Sequence, residues 1–526
     1  MVKETVGMKT HDVLISGLGP TGAVLAGLLG QRGIRVAVFD VLEDLYPLPR
    51  AVGLDHEAMR ILQELGISNQ LEGVIERYRP SEYLGMDGQL IKRLDTEPAP
   101  HRLGWEPNYV FNQPQLERVI RSRLENIPGV DVHKGAEVVG VTQTTDKVCI
   151  NVMHPKEGAP KTYTASYLVA CDGGASPIRK SLGLELEDLG FDEPWLVVDA
   201  IVPKHVSDRL PQTQVQYCEA QRPCTFVYCT GNHRRWEIML SDDEYRSGNF
   251  PDDMLWPILS RWVQPGDVHL WRRAAYRFHG LIAKTWKKDR VFLAGDAAHM
   301  TPPFMAQGMV QGLRDANNLA WKLAYVLGKQ FPETLLETYE AERKPHVRET
   351  TMKAMGLGRL ICERDPDMAR QRDQKLRDEQ GGVIKTTFRQ QMIPGLTAGL
   401  IQQGSAVAGS IFVQPRTSHA GKDVFLDDLL SRDFVLFVDS THPDFQPHMM
   451  TTGFSGCPAQ IVYVEPEKVL DSERAMLMAS PLIARWMREN DAPFVLVRPD
   501  KYVFGCAKTM TEALQLVDAM RNQLNG

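Results

Sequence analysis

The sequence lacks the features that mark nucleic-acid-binding and membrane proteins. It has no block of Lys and Arg residues and no aromatic residues interleaved with basic ones, and its formal net charge is −6. Its longest apolar runs are of strand length or are interrupted by charges, so no transmembrane helix is predicted. The N-terminal segment MVKETVGMKTHD lacks the apolar region of a signal peptide. We therefore expect a cytoplasmic protein that binds neither nucleic acid nor membranes.

The sequence also lacks a CxxC motif, although it contains eight cysteines. Cys218, Cys224 and Cys229 come closest to a cluster, but no His-rich or Cys-rich segment completes a zinc site. We interpret the cysteines as reduced, partly buried thiols and expect no metal site.

A glycine-rich turn, GLGPTG, is present near the N-terminus, directly after the apolar run VLIS. Strand, turn, helix and second strand follow in the order of a dinucleotide-binding βαβ unit. In such a unit the first glycine permits the sharp turn, the second lets the backbone approach a pyrophosphate, and the third lets the helix pack on the strand. An acid at the end of the second strand accepts hydrogen bonds from a ribose diol. The predicted nucleotide-binding residues are Gly17, Leu18, Gly19, Pro20, Thr21, Gly22 and Asp40.

A second segment, RVFLAGDAAHMTPPFMAQGMVQGLRDANNLAWKLA, indicates which dinucleotide binds. It predicts a strand, then Gly295 and Asp296, a Pro-containing loop, and a helix that starts near Gly308. Asp296 is placed to hold a ribityl hydroxyl. The helix N-terminus around Gly308 and Met309 would direct its positive dipole end at a flavin pyrimidine ring, where negative charge gathers on reduction. Together the two segments predict an FAD site.

The second segment resembles that of the flavoprotein aromatic hydroxylases of the p-hydroxybenzoate hydroxylase fold. Within them it is most similar to the 3-(3-hydroxyphenyl)propionate hydroxylase branch, whose pattern GDAAH, PP, QGM and GxxDAxNLxWKL is matched from Gly295 to Leu323. Ala306 departs from the pattern, because the branch usually has Gly before the Gln, and a tighter or differently turned loop is expected there. A third motif, YLVACDGGASPIRKSLG, resembles the DG fingerprint of the family, in which Asp172 and Gly173 line the pyrophosphate region.

The resemblance assigns further residues to the flavin. The segment PRAVGLDHEAMRILQELGI would place Arg50 and Ala51 beside the ring, where the Arg50 cation would counter the charge of the reduced flavin or of the nicotinamide cofactor. The segment FNQPQLERVIRSRL would place Gln113 against the cofactor. Pro302 and Pro303 would fix the loop at the flavin edge, since proline restricts φ and has no amide donor. No His or Cys near Arg50 offers an attachment point, so FAD is expected to bind non-covalently.

The resemblance implies an FAD-dependent monooxygenase. NADH or NADPH would reduce FAD, O2 would add at C4a, and the resulting hydroperoxide would hydroxylate a phenolic or related hydroxylated aromatic compound. Two alternatives on the same fold remain open, Baeyer-Villiger oxygenation and oxidation of a heteroaromatic ring. A third is a flavin-containing aromatic-binding protein with weak turnover. The WxWxIP segment of halogenases is absent.

No residue can be assigned as the substrate base from the sequence. A lone His or Tyr in a sheet domain is more often a satisfied core or surface residue than a base. His56, Tyr217 and Tyr228 are weak candidates, as is His279. His299 belongs to the family pattern and is interpreted as structural.

The three motifs are far apart in the chain and must meet at one FAD, so the cofactor domain must be discontinuous. Alternating segments such as TQVQYC and RRWEIML predict an inserted sheet-rich domain. The C-terminal region is expected to have a structural or interface role, since Cys457 and Cys506 are isolated and cannot form a redox pair on one turn. The sequence leaves open whether the protein forms a homodimer. We predict an α/β (α+β) fold comprising a Rossmann-like FAD domain (residues 10–78, 110–190 and 279–400), a substrate domain (79–109 and 191–278) and a thioredoxin-like C-terminal domain (421–526).

Overall fold

The first strand, Val13–Ser16, is followed by the glycine turn, the helix Pro20–Gly30 and the strand Val36–Asp40. Apart from Ser16 and Asp40 the residues of both strands are apolar, and all except Asp40 are buried, as in parallel strands covered on both faces. The computed structural model describes residues 11–155, 158–419, 421–445, 459–464, 475–478 and 480–526. Among these residues, no helix is long and apolar enough to cross a membrane.

The first two strands lie inside a six-stranded sheet that is parallel except at one edge. Gly17, Asp172 and Gly295 each follow the carboxyl end of one of three neighbouring parallel strands. Ligands bind outside the carboxyl ends of such strands, so this edge brings the three sequence motifs together. The strand order is Lys287–Lys288, Val291–Leu293, Tyr167–Ala170, Val13–Ser16, Val36–Asp40 and Val130–Lys134.

The helix Gly308–Leu327, called the cavity helix below, packs closely on the helix Pro20–Gly30. Thr21 occupies the contact, because a Cβ at Gly312 would lie 2.2 Å from its Oγ1 and a Cβ at Gly295 would lie 2.6 Å from the same atom. Among the described residues up to 379, the remaining α-helices are His56–Glu64, Gln113–Leu124, Pro177–Ser181, Lys204–Ser207, Asp242–Ser247, Asp252–Leu259, Glu337–Ile361 and Pro366–Glu379.

A nine-stranded sheet, called the roof sheet below, forms the middle of the molecule. Its two longest strands, Leu186–Ile201 and His269–Ala283, are antiparallel neighbours. Residues such as Phe226, Trp236 and Ile238 point from one face into a separate apolar core. The strand order is His299–Met300, His269–Ala283, Leu186–Ile201, His233–Met239, Cys224–Tyr228, Gln214–Tyr217, Ser81–Leu84, Leu90–Asp95 and Thr386–Phe388.

Three small sheets are also present in the part of the chain before residue 430 that the structure describes. Two have three antiparallel strands each, and the third is a hairpin. They consist of Glu137–Gln143, Val148–Met153 and Lys161–Ala165, of Gly53–Asp55, Asn108–Phe111 and Ile75–Arg77, and of Arg416–His419 and Lys422–Phe425.

In the residues that the structure describes, the C-terminal domain has a five-stranded mixed sheet and two helices. Its central strand is parallel to one neighbour and antiparallel to the other. The predicted architecture is therefore confirmed as a mixed α/β fold with an FAD-type domain, a sheet-rich middle and a distinct C-terminal domain. Cys457, named above, lies outside the described residues. The sheet order is Ala475–Met478, Ala459–Val464, Phe434–Asp439, Phe494–Val497 and Val503–Ala507, and the helices are Pro481–Glu489 and Met510–Asn525.

Buried polar bonds join the C-terminal domain to the rest of the molecule. Arg498 Nη2 donates to Glu342 Oε2 at 2.6 Å, and both side chains are fully buried. Arg60 Nε donates to Asp427 Oδ2 at 2.5 Å in a second buried pair. Removing one member of a buried ion pair leaves an uncompensated charge, so these pairs hold the domain against the FAD-type domain.

Candidate active site

The glycine turn is shaped by contacts within the protein and leaves one side open. Gly17 has φ +103°, and a Cβ there would lie 2.2 Å from the carbonyl oxygen of Cys171. A Cβ at Gly22 would lie 2.0 Å from the carbonyl oxygen of Gly17. A Cβ at Gly19 would meet no atom within 4 Å. The first and third glycines are thus required by packing, and the second leaves the open space that a pyrophosphate needs.

Two helix N-termini at the site have no side-chain cap. The helix Pro20–Gly30 starts after Gly19, and the cavity helix starts after Gln307, in neither case with a capping side chain or an acidic residue in the first turn. Uncapped N-termini retain unpaired amide donors and a positive dipole end, which favour anions. These two ends fit a pyrophosphate and the electron-rich side of a flavin.

Asp40 fixes the end of the second strand to the glycine turn. Its Oδ2 accepts a hydrogen bond from the Leu18 amide at 2.7 Å, and its Oδ1 accepts one from the Leu42 amide at 2.8 Å. Pro20 is the first residue of the helix, where its missing amide proton costs nothing. Contact of Asp40 with a ribose stays a prediction.

The DG segment supplies an unpaired buried acceptor. Asp172 Oδ2 accepts from the Ile178 amide at 3.2 Å, while Oδ1 is buried and has no hydrogen-bond partner among the described residues. Burial raises the pKa of this carboxyl group. Gly173 has φ +84° with open space beside it. A buried acceptor without a donor is costly, so this oxygen suits a hydroxyl group supplied by a bound cofactor.

A cavity of about 400 Å³ lies between this edge and the roof sheet. The side chain of Asp296 is exposed to this cavity. The protein that surrounds the cavity desolvates the carboxyl group and so raises its pKa. The structure therefore brings six of the predicted residues to one cavity. They are Arg50, Ala51, Asp296, Pro303, Gly308 and Met309.

Gln113 binds the backbone of the Arg50 segment. Its Oε1 accepts from the amides of Arg50 and Ala51 at 3.0 and 2.6 Å, and its Nε2 donates to Glu117 at 2.7 Å. Both ends of its side-chain amide are thus used within the protein. A direct contact of Gln113 with the cofactor stays a prediction.

The loop of residues 301–307, called the Pro loop below, is held from several sides. Phe304 packs edge-on against Trp195 and Phe278 with ring centroids 5.7 and 6.0 Å apart. Arg389 Nη2 donates to the Met305 carbonyl at 2.7 Å. Ala306 has φ +54° and ψ +34°, the left-handed conformation that costs a residue with a Cβ about 1–2 kcal/mol. Where the related branch usually has Gly, this chain therefore carries backbone strain at the cavity wall.

The face of the roof sheet toward the cavity carries two polar rows. Gln216, Thr225 and Glu237 are direct cross-strand partners on three neighbouring strands. Thr225 Oγ1 donates to Gln216 Oε1 at 2.6 Å within that row. Because direct partners and residues two apart share a face, Arg235 and its partner Asp199 form the adjacent row.

The second row clamps the Arg50 segment from above. Asp199 is fully buried and accepts from His233 Nε2 at 2.6 Å and from Arg235 Nε at 2.7 Å. Burial opposes ionisation of Asp199, but the favourable interactions with Arg235 and His233 outweigh this effect. The pKa of Asp199 therefore lies below its usual value. Arg235 also donates to the carbonyls of Arg50 at 2.8 Å and Pro49 at 2.9 Å. One buried carboxylate thus orients a guanidinium that fixes the cavity floor.

Glu237 is the carboxylate of the roof sheet that lines the cavity. It is 8% exposed and lines the cavity, and burial raises its pKa. Arg235 Nη1 lies 3.7 Å from its Oε1, but the guanidinium is mainly engaged by Asp199. A carboxylate with a raised pKa is a stronger base than usual, and this one faces the cavity.

The weak base candidates on the roof sheet do not line the cavity. Tyr217 is one residue beyond Gln216, so it points into the apolar core, where its hydroxyl accepts from Trp262 Nε1 at 3.0 Å. Tyr228 follows Val227 in the same way and stacks under Arg234, 3.5 Å from the ring centroid. His279 is next to Phe278 and pairs with Asp192 outside the cavity. Side chains alternate along a strand, and this alternation places all three side chains outside the cavity.

The two remaining histidines are also away from the cavity. His56 starts a helix and lines a second, smaller cavity of about 230 Å³, where burial lowers its pKa to about 4. His56 therefore lies outside the larger cavity. His299 is fully buried and bonds Asp315 at 2.7 Å, in keeping with a structural role.

Sequence reasoning missed Glu237, Arg235 and Arg389, which line the cavity. One signal was available in the strand His233–Met239, because charged residues alternate there with Trp236 and Ile238. Charges at every second position of a buried strand mark a polar inner face. No comparable signal exists for Arg389, which arrives from a distant turn.

Known proteins resemble this chain over almost its whole length. The family described as "FAD binding domain" matches residues 10–354, and "HcaD C-terminal domain" matches residues 409–523. A probable NADH-specific resorcinol 4-hydroxylase of Rhodococcus jostii (strain RHA1) is 34% identical over 513 residues, which cover 96% of this chain and 94% of that protein. A 3-(3-hydroxy-phenyl)propionate/3-hydroxycinnamic acid hydroxylase of Burkholderia cenocepacia (strain HI2424) is 31% identical over 512 residues, 94% of this chain and 93% of that protein.

Solved structures share the fold at lower identity. Aklavinone-11 hydroxylase with FAD and aklavinone has a TM-score of 0.78 and 21% identity, covering 99% of this chain and 100% of that chain. The flavin-dependent monooxygenase PieE with FAD and substrate has a TM-score of 0.80 and 18% identity, covering 98% and 99%. The family match over more than half of the sequence, together with the relative at 34% identity, shows that this chain belongs to the FAD-binding class A monooxygenase family, as a flavin-dependent aromatic hydroxylase.

Proposed function

We propose that this protein uses NADH and O2 to hydroxylate a phenolic ring held in the 400 Å³ cavity. One observation carries the proposal. Residues that the family pattern assigns to the flavin form one wall of the cavity, and the polar row ending at Glu237 forms the opposite wall. NADH is proposed as the reductant because a relative that covers nearly the whole chain is described as NADH-specific.

FAD fits the residues at the sheet edge. The open space at Gly19, the uncapped helix ends and the unpaired oxygen of Asp172 would hold its pyrophosphate and hydroxyl groups, and Asp296 a ribityl hydroxyl. When bound, FAD supplies hydride acceptance and oxygen activation. The protein's own tasks are to orient the ring, to exclude water and to accept the phenolic proton.

We propose Glu237 as the acceptor of that proton. Its carboxylate lies in a row with Thr225 and Gln216, whose hydroxyl and amide add polar contacts along the same face. Burial raises the pKa of Glu237 and so brings it closer to the pKa of a phenol. The ionised ring is the better nucleophile, so proton acceptance by Glu237 activates the substrate.

The charge arrangement of the roof supports a neutral hydroxylated ring as the substrate. Arg235 and Arg272 both contact Asp199, whose carboxylate offsets part of their positive charge, and both donate to the Pro49 carbonyl, which occupies N–H groups that a substrate carboxylate would need. Glu237 would repel such a carboxylate and accept from a hydroxyl group. The resorcinol class named for one relative suits this wall better than the phenylpropionate class named for the other.

The proposal is tested by an aromatic-compound screen on the holoenzyme. We expect resorcinol-type compounds to stimulate NADH oxidation and to yield products heavier by one oxygen atom, with 3-(3-hydroxyphenyl)propionate as the competing arm. Products with an inserted ring oxygen would favour the Baeyer-Villiger alternative. Ligand binding without stimulated oxidation would favour a binding protein.

The role of Glu237 is tested by Glu237→Gln, with Glu193→Gln as a matched control. Burial raises the pKa of both carboxyl groups, but Glu193 does not line the cavity. Loss of a general base typically costs about 10²–10⁴-fold in rate, so we expect a loss of that order in product formation for Glu237→Gln alone. Equal rates for the two variants would remove Glu237 from the mechanism.

A further inference from the structure

A buried polar chain connects the C-terminal domain to the Pro loop. Tyr502 Oη donates to Glu57 Oε1 at 2.6 Å, and Glu57 Oε2 accepts from Arg314 Nε at 2.6 Å. Arg314 Nη1 donates to Gln307 Oε1 at 2.8 Å. All four residues are at most 6% exposed. Hydrogen bonds to charged groups in such surroundings are among the strong ones, so the chain is a defined connection rather than a surface contact.

The end of this chain is at the cavity wall. Gln307 immediately precedes the cavity helix, whose first residues Gly308 and Met309 line the cavity. Its side chain does not cap that helix and instead bonds Arg314, one of the helix's own later residues. The position of the uncapped helix end therefore depends on where Arg314 is held.

The neighbouring Ala306 is what makes this anchoring necessary. A residue with a Cβ in the left-handed conformation persists only where its surroundings hold it there. Arg389 holds the loop on one side through the Met305 carbonyl, and Arg314 holds it on the other side through Gln307. The Arg314 guanidinium is itself oriented by Asp55 and Glu57, and Tyr502 completes the bonding of Glu57.

We propose that Tyr502 is a positioning residue for the Pro loop, acting through Glu57, Arg314 and Gln307. The C-terminal domain, for which the sequence indicates only a structural or interface role, thereby sets how tightly the loop closes on the flavin and the ring. Where it concerns catalysis, this inference rests on the proposed function.

The matched control is Tyr325→Phe. Tyr325 Oη donates to Asp433 at 2.9 Å and so also connects the cavity helix to the C-terminal domain, but near the other end of the helix. Tyr502→Phe and Tyr325→Phe each remove one hydroxyl from the same interface. The Arg498–Glu342 and Arg60–Asp427 pairs still hold the domain in both variants.

The experiment uses the FAD-bound full chain and compares the rate of FAD release, the midpoint potential of the bound flavin, and the ratio of product to NADH consumed. Substitutions along such networks shift coupling by amounts equivalent to about two- to thirtyfold. We expect Tyr502→Phe to accelerate FAD release and lower the product ratio within that range, with a shifted flavin potential. Tyr325→Phe should lower thermal stability to a similar extent and leave the potential unchanged.

A double-mutant cycle with Gln307→Met keeps the inference testable if Tyr502→Phe is poorly folded. Gln307→Met removes the last bond of the chain, together with the 3.4 Å bond that Gln307 Nε2 donates to Asp55, and should reproduce the shift in potential. Tyr502→Phe should then add nothing in the Gln307→Met background. Identical potentials in Tyr502→Phe, Tyr325→Phe and wild type, or additive effects in the cycle, would overturn the inference. FAD release and potential need no substrate, so they decide it even if the screen fails and the proposed function falls.

Discussion

The contact between Gly53 and Ala306 gives the sharpest quantitative prediction. A Cβ at Gly53 would lie 2.7 Å from Ala306 Cβ, and its next neighbour, the Tyr109 carbonyl oxygen, would be 3.9 Å away. Both residues line the cavity, and they are in contact with each other there. If the Ala306 methyl group is the reason for glycine at position 53, then Gly53→Ala should destabilise the protein when residue 306 is Ala. The same substitution should be tolerated when residue 306 is Gly.

The expected free energies follow from these contacts. Gly53→Ala overpacks the wall and should destabilise folding by about 1–3 kcal/mol. Ala306→Gly relieves about 1–2 kcal/mol of left-handed strain and loses about 0.4–1 kcal/mol through the freer unfolded chain. The single Ala306→Gly variant should therefore be stabilised by about 0–1.5 kcal/mol. In the double variant the two methyl groups no longer clash. The coupling free energy between the two substitutions should therefore equal the destabilisation caused by that clash, about 1–3 kcal/mol.

The measurement is the unfolding midpoint of the apoprotein for wild type, both single variants and the double variant, because without FAD a changed flavin fit cannot contribute. One kcal/mol corresponds to about 2–4 °C in large domains. Gly356→Ala is the control, since it adds a methyl group in open space on a helix. If Gly53→Ala lowers the midpoint equally in the Ala306→Gly background, the methyl contact does not explain the glycine.

Three further predictions concern the cofactor, the loop and pH. Asp296→Ala should weaken FAD binding about 10- to 150-fold, since a charge-assisted hydrogen bond contributes roughly 1.5–3 kcal/mol, and equilibrium dialysis showing full retention would count against the assignment. Pro303→Gly should lower the product per NADH and raise H2O2 while flavin reduction by NADH is unchanged, because a looser loop with an added amide admits water; an unchanged ratio would remove the loop from the mechanism. Burial depresses the pKa of His56 from 6.5 to about 4, so the stability linked to its neutral form is present above pH 6.5 and is lost as pH falls through 4. His56→Gln should therefore flatten the pH dependence of the unfolding midpoint in that range, and parallel curves for both proteins would contradict it.

Sequence motifs alone determined the family and the cofactor, because their chemistry is local. Gly22 packs on the Gly17 carbonyl within one βαβ unit, so the spacing of the glycines reveals the turn, although Gly17 itself packs on Cys171 of the distant DG segment. The discontinuous cofactor domain could also be predicted from the sequence, because motifs so far apart in the chain must meet at one FAD. Domain boundaries and contacts of single residues with FAD remain predictions.

The tertiary structure decided which side chains face the cavity. Gln216 and Tyr217 are adjacent in sequence, yet one lines the cavity and the other the apolar core, because strand register and sheet orientation assign opposite faces to neighbours. Glu237 joins Gln216 and Thr225 only through cross-strand pairing. Tyr502 reaches the Pro loop only through domain packing. Such long-range placements depend on how separate elements pack, and no local pattern of residues encodes them.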